Sequence, residues 1–247
     1  MLAFVVPLKS ARLAQSWPLV GKLLTRTLRS VCAQTCPDWR VIVACHEIPD
    51  VEVDDPRIEF LQVDFAPPGP EHDQRRGDKW KKQRAAVWRS RDYGAAHVMF
   101  LDSDDCVSNR LAAHVVAHPG AHGWFLRRGY FYRDGSKTVR FERWRFHKWC
   151  GSSHIFRPRL LGETREQLDA FYLGHLVMAE RFRGIGAPLQ PLPFPGAVYN
   201  MSHGENFYNH GLNVWPTRLW PRLVCRVLYH RAITDSIRAE FGLYPLP

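Results

Sequence analysis

An apolar segment that ends in acidic residues constrains this chain more than any other feature. The stretch 98–101 is apolar, and three carboxylates follow it, those of Asp102, Asp104 and Asp105. The apolar residues predict a buried strand, and Asp102 and Asp104 would share one face because side chains alternate along a strand. Carboxylates are ligands for Mg²⁺ or Mn²⁺, which keep coordination positions open for phosphate. The segment therefore predicts a metal site, with an acidic surface turn as the alternative.

Length and composition predict one sizeable domain. The chain has 247 residues, of which 45% are hydrophobic, enough for a buried core without disulfide bonds. The 6 cysteines are scattered and lack a second metal-type pair, which predicts reduced thiols. The apolar N-terminus reaches Lys9 too early for a signal peptide, and no stretch is long enough for a membrane span. We expect a cytoplasmic protein.

The net charge of +10 is concentrated in two basic stretches, residues 75–91 and 127–148. Such patches attract polyanions, including nucleotide diphosphates, acidic saccharides, anionic membranes and nucleic acid, although a solvated basic face is equally compatible. A nucleic-acid-binding protein without catalysis would explain the charge. It would not explain acids placed at a binding crevice, because they repel phosphate unless a metal is present. Nucleic acid is therefore the less suitable partner.

The first half of the chain has the element order of an α/β fold. Apolar spacing and breaker residues predict strands at 3–7, 40–44, 58–63 and 98–101, with helices at 18–34 and 78–91. Open α/β sheets bind ligands in the crevice beyond the carboxyl ends of their strands. The acidic segment would occupy such a position.

The second half is less regular. We predict a short helix at 111–118, a hairpin from 124–132 and 136–141, a helix at 168–183, a loop at 184–195 and a polar cluster at 198–209. Residues 144–156, which include Trp144 and Trp149, would line a ligand site or belong to the core. The aromatic and basic tail predicts a helical extension over 213–247, which packs on the domain or contacts an anionic membrane.

Four landmarks of the first half resemble the GT-A fold glycosyltransferases, especially those of family 2. In order, they are Pro7, the segment Leu28 to Gln34, the strand from Trp39, and Asp102-Ser103-Asp104-Asp105. The resemblance covers roughly residues 3 to 108. It implies a Rossmann-like GT-A fold, with a mostly parallel central sheet flanked by helices. Residues 1–212 would form this domain, divided into a nucleotide-sugar-binding half, 1–108, and an acceptor-binding half, 109–212.

The resemblance also implies a function. It implies a metal-dependent hexosyltransferase that moves a sugar from a nucleoside-diphosphate donor to a saccharide or lipid-linked saccharide, in bacterial surface polysaccharide or glycolipid synthesis. Asp102 would lie near the ribose and the metal, and Asp104, Asp105 and His203 would bind Mn²⁺ or Mg²⁺. The cation would stabilise charge on the departing diphosphate. A nucleotidyltransferase on a related fold is the alternative enzyme, disfavoured because no Gly-rich loop follows the first strand.

Further donor-binding residues are predicted from their positions relative to these landmarks. They are Pro7 and Leu8 at the end of the first strand, Glu47 after the second strand, and Ser103 within the acidic segment. Lys79, Lys82 and Arg84, on the helix that precedes the acidic segment, complete the set. The family commonly has an Asp where Glu47 stands, so the nucleotide base stays unassigned. The basic residues would contact phosphate or sugar, with an exposed basic helix as the alternative.

The catalytic base is where the chain departs from the family pattern. Family 2 enzymes usually carry Glu-Asp at the start of a helix, six residues before an Arg, and alignment on Arg181 places Gly174-His175 there. The ordinary pKa of histidine suits a general base, so His175 is the first candidate, followed by Asp169 and Glu163. The departure leaves inverting and retaining stereochemistry both open.

Overall fold

Strands and helices alternate along the first half of the structure, as predicted. A computed structural model describes residues 1–171, 174–206 and 229–246. The described strands are β1 (Leu2–Pro7), β2 (Trp39–Cys45), β3 (Ile58–Gln62), β4 (His97–Phe100), β5 (Cys106–Val107), β6 (Gly123–Phe125), β7 (Gly129–Arg133), β8 (Thr138–Glu142), β9 (His154–Phe156), β10 (Gln190–Pro191), β11 (Ala197–Met201) and β12 (His230–Ala232). The described α-helices are α1 (Trp17–Cys32), α2 (His72–Asp92), α3 (Leu111–Ala117), α4 (Arg165–Ala170), α5 (His175–Gly184) and α6 (Asp235–Phe241). Short 3-10 helices lie at Ala11–Leu13, Phe146–Lys148 and Pro158–Leu161.

The centre of the fold is a seven-stranded sheet in the order β10-β6-β9-β4-β1-β2-β3. Among its described strands only β9 runs against the others, pairing antiparallel with β4 and with β6. Every residue of β1 is buried, as a parallel strand covered on both faces requires. The predicted α/β fold, with a mostly parallel central sheet flanked by helices, is confirmed.

The two faces of the sheet bury different helices. Phe4 of β1 faces a core that includes Leu24 and Leu28 of α1. The next residue, Val5, faces the opposite core, which includes Val87 of α2 and Phe182 of α5. This division follows from side-chain alternation along β1. Helix α1 begins where predicted because the Ser16 side chain caps the backbone N–H of Leu19.

The end of α1 is tied to the segment that follows the acids. Gln34 Nε2 donates to the carbonyl of Ser108 at 2.8 Å, and its Oε1 accepts from the backbone N–H of Ala112 at 2.8 Å. Ser30 Oγ accepts from the backbone N–H of Val107 at 3.2 Å. Ser30 and Gln34, which contribute to the resemblance, therefore have a structural role. They fix the chain that leaves the acidic segment.

The connections place a topological switch point between β1 and β4. From β1 the chain runs through α1 to β2 on one side, and from β3 it returns through α2 to β4 on the other side. Ligands of open α/β sheets bind in the crevice outside the carboxyl ends of strands at such a point. Pro7 ends β1 and Asp102 follows β4, so both lie at this crevice.

A second sheet, in the order β12-β8-β7-β11-β5, begins directly after the acidic segment. Strand β5 pairs antiparallel with β11, and β7 and β8 form the predicted hairpin around Asp134-Gly135. Gly135 has φ +76°, which suits a tight turn. Strands β6, β9 and β10 come from the predicted acceptor half but join the central sheet. Strands from both predicted halves therefore share one sheet.

Two predicted elements are divided in the structure. The strand predicted at 124–132 is two strands, because β6 joins the central sheet and β7 joins the second sheet. The helix predicted at 168–183 is also two elements, since α4 ends at Ala170 and α5 begins at His175. Helix α4 begins early at a capping box formed by Thr164 and Gln167.

The C-terminal extension is described only in part. Residues 213–228 and 247 lie outside the described residues, and the described portion contains one strand, β12, and one helix, α6. The predicted membrane contact of this extension stays a prediction. Among the residues that the structure describes, no helix has both the length and the apolar character needed to cross a membrane.

Substituting Gly123 with Ala should destabilise the fold by about 2 kcal/mol or more. Gly123 has φ +146°, and an added Cβ would lie 2.1 Å from the Ile155 carbonyl oxygen of β9. Gly77→Ala is the control, since Gly77 lies inside α2 with nothing within 4 Å of an added Cβ, and it should be neutral or slightly stabilising. Urea unfolding measures both variants, and equal stability of the two would contradict the packing described for β6 and β9.

Candidate active site

A cavity of about 300 Å³ lies beyond the carboxyl ends of β1 and β4, a size suited to a small-molecule ligand. Its walls come from the loop after β1, the acidic segment, helix α2, residues 149–151, the start of α5, and the chain from β11 to Asn206. Of the predicted site residues, Pro7, Leu8, Lys79, Asp102, Ser103, Asp104 and His175 line it. We call this cavity the switch-point pocket.

Asp102 lies at the base of the pocket and is paired with a lysine. Its Oδ1 is 2.6 Å from Lys79 Nζ, and both side chains are partly buried. The backbone N–H of Asp102 donates to Ser152 Oγ at 2.8 Å. Desolvation lowers the pKa of Lys79, but the attraction of Asp102, Asp104 and Asp105 outweighs it, so the pKa of Lys79 is raised. Lys79 is therefore a charged partner of the acidic segment.

Asp104 is paired with a histidine and an asparagine. His203 Nε2 is 2.9 Å from Asp104 Oδ2, and Asn206 Nδ2 donates to the same oxygen at 3.3 Å. The backbone N–H of Glu205 donates to His203 Nδ1 at 3.2 Å. Because Nδ1 accepts this bond, the proton of a neutral His203 ring lies on Nε2 and is donated to Asp104. The structure thus brings together two residues predicted to share a metal.

Asp105 has a different environment from the other two acids. It is fully buried, and its Oδ2 accepts from Ser152 Oγ at 2.6 Å and from Cys150 Sγ at 3.3 Å. Its Oδ1 accepts from the backbone N–H of Asn200 at 3.0 Å. Burial, followed by the charges of Asp104 and Asp102, holds the pKa of Asp105 well above its ordinary value. Both oxygens are engaged by protein donors, which argues against the predicted metal role.

Lys82 does not line the pocket, but it binds residues that do. It is fully buried and donates to the Leu8 carbonyl at 2.7 Å and to Asp78 Oδ2 at 2.8 Å. His46 Nε2 lies 2.9 Å from the other oxygen of Asp78. Burial lowers the pKa of Lys82. The ammonium group of Lys82 fixes the loop after β1, and its predicted contact with the ligand stays a prediction.

Glu47 and Arg84 also hydrogen-bond to other groups of the protein. Glu47 accepts from Ser10 Oγ at 3.1 Å and from the backbone N–H of Ala11 at 3.0 Å, which anchors the first 3-10 helix. Arg84 donates to the carbonyls of Leu168 and Phe171 at the end of α4. Neither residue lines the cavity, so the structure does not support their predicted donor contacts.

Of the three candidate bases, only His175 lines the pocket. Asp169 is on the surface, 3.8 Å from Arg84, and Glu163 lies in the loop before α4, away from the pocket. His175 is the first residue of α5, so its ring is held at a helix N-terminus. Burial, followed by the charge of Lys79, lowers the pKa of His175 to about 4. The imidazole is therefore neutral near pH 7 and able to accept a proton.

The chain after β11 closes one side of the pocket. Glu205 is almost fully buried, and its carboxylate accepts from Lys9 Nζ at 2.7 Å and from the backbone N–H of Ser16 at 2.7 Å. Ser202 has φ +67°, a left-handed conformation at the bend of this segment. Burial, followed by the acidic segment, raises the pKa of Tyr199, which also lines the cavity. Polar residues mark this segment in the sequence, but its pairing with Lys9 is not visible there.

Residues 144–156, the segment predicted to line a ligand site, lie partly at the rim of the pocket and partly in the core of the protein. Trp149 is 46% exposed and lines the pocket together with Leu176, whereas Trp144 is exposed outside the lining. Ser152 and His154 are buried. Gly151 packs directly against the acids, because an added Cβ would be 2.7 Å from Asp102 Oδ2. Arg75, Arg76 and Gln83 of α2 also line the pocket, although the sequence shows no feature that singles them out.

The residues of the pocket do not form a ready site for Mn²⁺ or Mg²⁺. Asp102 and Asp104 are paired with Lys79 and with His203 and Asn206, and Asp105 is enclosed by its own donors. Within the described ranges, no group of three or more acidic, His or Cys side chains is arranged to hold a metal ion. The described side chains therefore do not fit the implied cation in this arrangement.

Comparisons with known proteins give distant similarities of fold. No protein-family model matches the chain, and the search of curated proteins gave no match. A structure of S. aureus TarS 1-349 in complex with UDP-GlcNAc has 15% identity and a TM-score of 0.49, covering 83% of this chain and 60% of that one. Francisella tularensis IspD, a 2-C-methyl-D-erythritol 4-phosphate cytidylyltransferase, has 11% identity and a TM-score of 0.44, covering 83% of this chain and 92% of that one. A putative nucleotide-diphospho-sugar transferase from Desulfovibrio desulfuricans G20 has 10% identity and a TM-score of 0.40, covering 81% of this chain and 80% of that one. The chain thus spans about 60% of the length of the TarS fragment.

Ser152→Ala should lower the free energy of unfolding by about 2 kcal/mol, because it removes an acceptor from the Asp102 backbone and a donor from Asp105. Ser103→Ala is the matched control in the acidic segment and should change stability by less than about 0.5 kcal/mol. Denaturant unfolding compares the two variants. A Ser152→Ala protein as stable as the wild type would contradict the role given to this hydroxyl.

Proposed function

We propose that this chain is a glycosyltransferase that moves a sugar from a nucleoside-diphosphate donor to an acceptor hydroxyl. The observation that carries this proposal is a pocket at the topological switch point of the sheet, in which acidic and basic side chains stand together. Carboxylates accept hydrogen bonds from sugar hydroxyls, and ammonium and guanidinium groups bind a diphosphate. A nucleoside-diphosphate sugar carries both kinds of group in one molecule.

The donor would lie between the loop after β1 and the first half of α2. Leu8, Leu13 and Pro68 provide apolar surface for a nucleobase. Lys79 and Arg76 provide positive charge on the helix side of the same cavity, where the diphosphate would be held. This arrangement gives the basic stretch at 75–91 a specific task, since part of its charge lines the pocket.

The acceptor would enter across the exposed rim formed by Trp149 and Leu176. Aromatic faces stack on sugar rings, and Leu176, which is 54% exposed, lines the same pocket as Trp149. We propose a saccharide or a lipid-linked saccharide as acceptor, as required in bacterial surface polysaccharide or glycolipid synthesis. Peripheral contact with the inner face of a membrane would bring a lipid-linked acceptor to this rim.

The chemistry follows from the positions of these groups. The acceptor oxygen attacks the anomeric carbon and forms the new C–O bond, while the bond from that carbon to the diphosphate oxygen breaks. The bonding electron pair leaves with the diphosphate, and the acceptor proton passes to the imidazole of His175. Positive charge on α2 stabilises the added negative charge of the leaving group, because preorganised charges act strongly in a partly desolvated site.

The proposal predicts that one nucleotide sugar stabilises the folded chain. A thermal-shift panel of UDP, GDP, CDP and dTDP sugars, each with EDTA and with MnCl₂, measures this. A ligand at 100 times its Kd adds about 2.7 kcal/mol, which raises the Tm by several degrees for a chain of this size. Absence of any shift in both buffers would contradict the proposed function.

Product analysis separates the two enzyme classes. With the stabilising donor and a saccharide acceptor, a glycosyltransferase releases the nucleoside diphosphate. A nucleotidyltransferase instead releases pyrophosphate from a nucleoside triphosphate. Formation of pyrophosphate by the wild-type chain, with no transfer of sugar, would therefore contradict the proposal in favour of the alternative enzyme.

The lowered pKa of His175, about 4, predicts the pH dependence of turnover. The base form of His175 is lost only as the pH falls through this value, so kcat should be constant from about pH 7 to about pH 5. His175→Gln should lower kcat by about 10²-fold or more and leave donor affinity unchanged, whereas His118→Gln, outside the pocket, should change neither. An acid limb near the ordinary histidine pKa in the wild type would contradict this assignment.

A further inference from the structure

We propose that Lys79 takes the place of a divalent cation beside the acidic segment, so that an ammonium group of the chain holds the donor diphosphate. This inference rests on the proposed function, because it concerns how the same pocket binds the same donor. Lys79 would supply the positive charge that the resemblance attributes to Mn²⁺ or Mg²⁺.

The first argument is the position of the ammonium group. Lys79 Nζ lies 2.6 Å from Asp102 Oδ1, and the two side chains, 29% and 24% exposed, both line the switch-point pocket. An ammonium group has three N–H donors, so the bond to Asp102 leaves two for phosphate oxygens. Lys79 can therefore bridge the carboxylate and a diphosphate, which is the role that a metal ion would have.

The second argument is that Gly151 packs against the other oxygen of Asp102. Gly151 lies against Oδ2 so closely that an added Cβ would be 2.7 Å from this oxygen and 3.4 Å from Lys79 Nζ. The backbone at Gly151 thus closes over the ion pair. A cation that bound Asp102 through Oδ1 would therefore have to displace Lys79, and one that bound through Oδ2 would lie against Gly151.

The third argument concerns the other predicted ligands. Asp104 Oδ2 already accepts from His203 Nε2 and Asn206 Nδ2. His203 Nδ1 accepts from the Glu205 backbone N–H, so both ring nitrogens have partners within the protein. A metal ion held by His203 Nε2 and Asp104 Oδ2 would have to replace the contact between these two atoms, and it would repel Lys79, which carries the same sign of charge. The existing contacts satisfy these groups without one.

The transfer step balances without a metal ion. The anomeric carbon exchanges its bond to the diphosphate oxygen for a bond to the acceptor oxygen, and the electron pair stays on the diphosphate. The acceptor proton goes to the base. Lys79 remains protonated throughout and donates charge-assisted hydrogen bonds that shorten as negative charge develops on the phosphate oxygens.

Calorimetric titration of the UDP, GDP, CDP and dTDP sugars tests this inference. It compares the wild type, Lys79→Met and Lys81→Met, each in EDTA and in MnCl₂. Lys81 is a matched control, because it is an exposed lysine on the same helix and does not line the pocket. For the donor that binds, the wild-type Kd should agree within about twofold between the two buffers.

Lys79→Met should weaken donor binding in EDTA by about 10-fold to 100-fold, as expected for loss of charge-assisted hydrogen bonds, and Lys81→Met should change it by less than about twofold. Circular dichroism checks that the variants fold. If Lys79→Met does not fold, the wild-type comparison alone decides, since a donor that binds only with MnCl₂ overturns the inference. Unchanged affinity of a folded Lys79→Met overturns it as well.

These outcomes separate the inference from the proposed function. Donor binding that requires MnCl₂ would retain the proposed function and overturn the role of Lys79. Absence of donor binding by the wild type in both buffers would contradict the proposed function, and the inference with it.

Discussion

The candidate site depends on the hydrogen bonds that the buried carboxylate of Asp105 accepts. It joins the acidic segment to the loop before β9, through Ser152 and Cys150, and to β11, through the backbone of Asn200. Burial and the neighbouring acids raise its pKa, while the bonds from Ser152 and Asn200 oppose that shift. A buried carboxylate is costly unless such donors satisfy it. Because Asp105 is held on the core side, Asp102 and Asp104 are left to line the pocket.

The acidic groups of the pocket are paired with other groups of the chain itself. Asp102 is paired with Lys79, Asp104 with His203 and Asn206, and the buried Glu205 with Lys9. Three separate parts of the chain therefore hold their charges in fixed positions before any ligand binds. Preorganisation of this kind suits stabilisation of a charged leaving group, since little reorganisation is needed during the reaction. The same pairing explains why the described acids do not cluster into a metal site.

The sequence predicts β1 to β4 of the central sheet but not β6, β9 and β10, and it predicts the roles of individual acids poorly. Strands β1, β2 and β4 and helix α1 follow from short-range apolar spacing, and so does the placement of the acids at the switch point. Asp105 could not be distinguished from Asp104, because its partners Ser152 and Asn200 are 47 and 95 residues away. Lys79 and Lys82 look alike in the sequence, yet Lys82 is buried against the Leu8 carbonyl and Lys79 lines the pocket. Such distinctions depend on tertiary packing.

A crystal structure of the chain with its nucleoside-diphosphate donor, grown with MnCl₂ and measured at a wavelength with anomalous scattering from manganese, tests the account most directly. The account predicts the diphosphate in the switch-point pocket, with Lys79 Nζ at hydrogen-bonding distance from a phosphate oxygen and no anomalous peak at the acids. An anomalous peak between the Asp102 and Asp104 carboxylates, with Lys79 turned away from the phosphates, would contradict it.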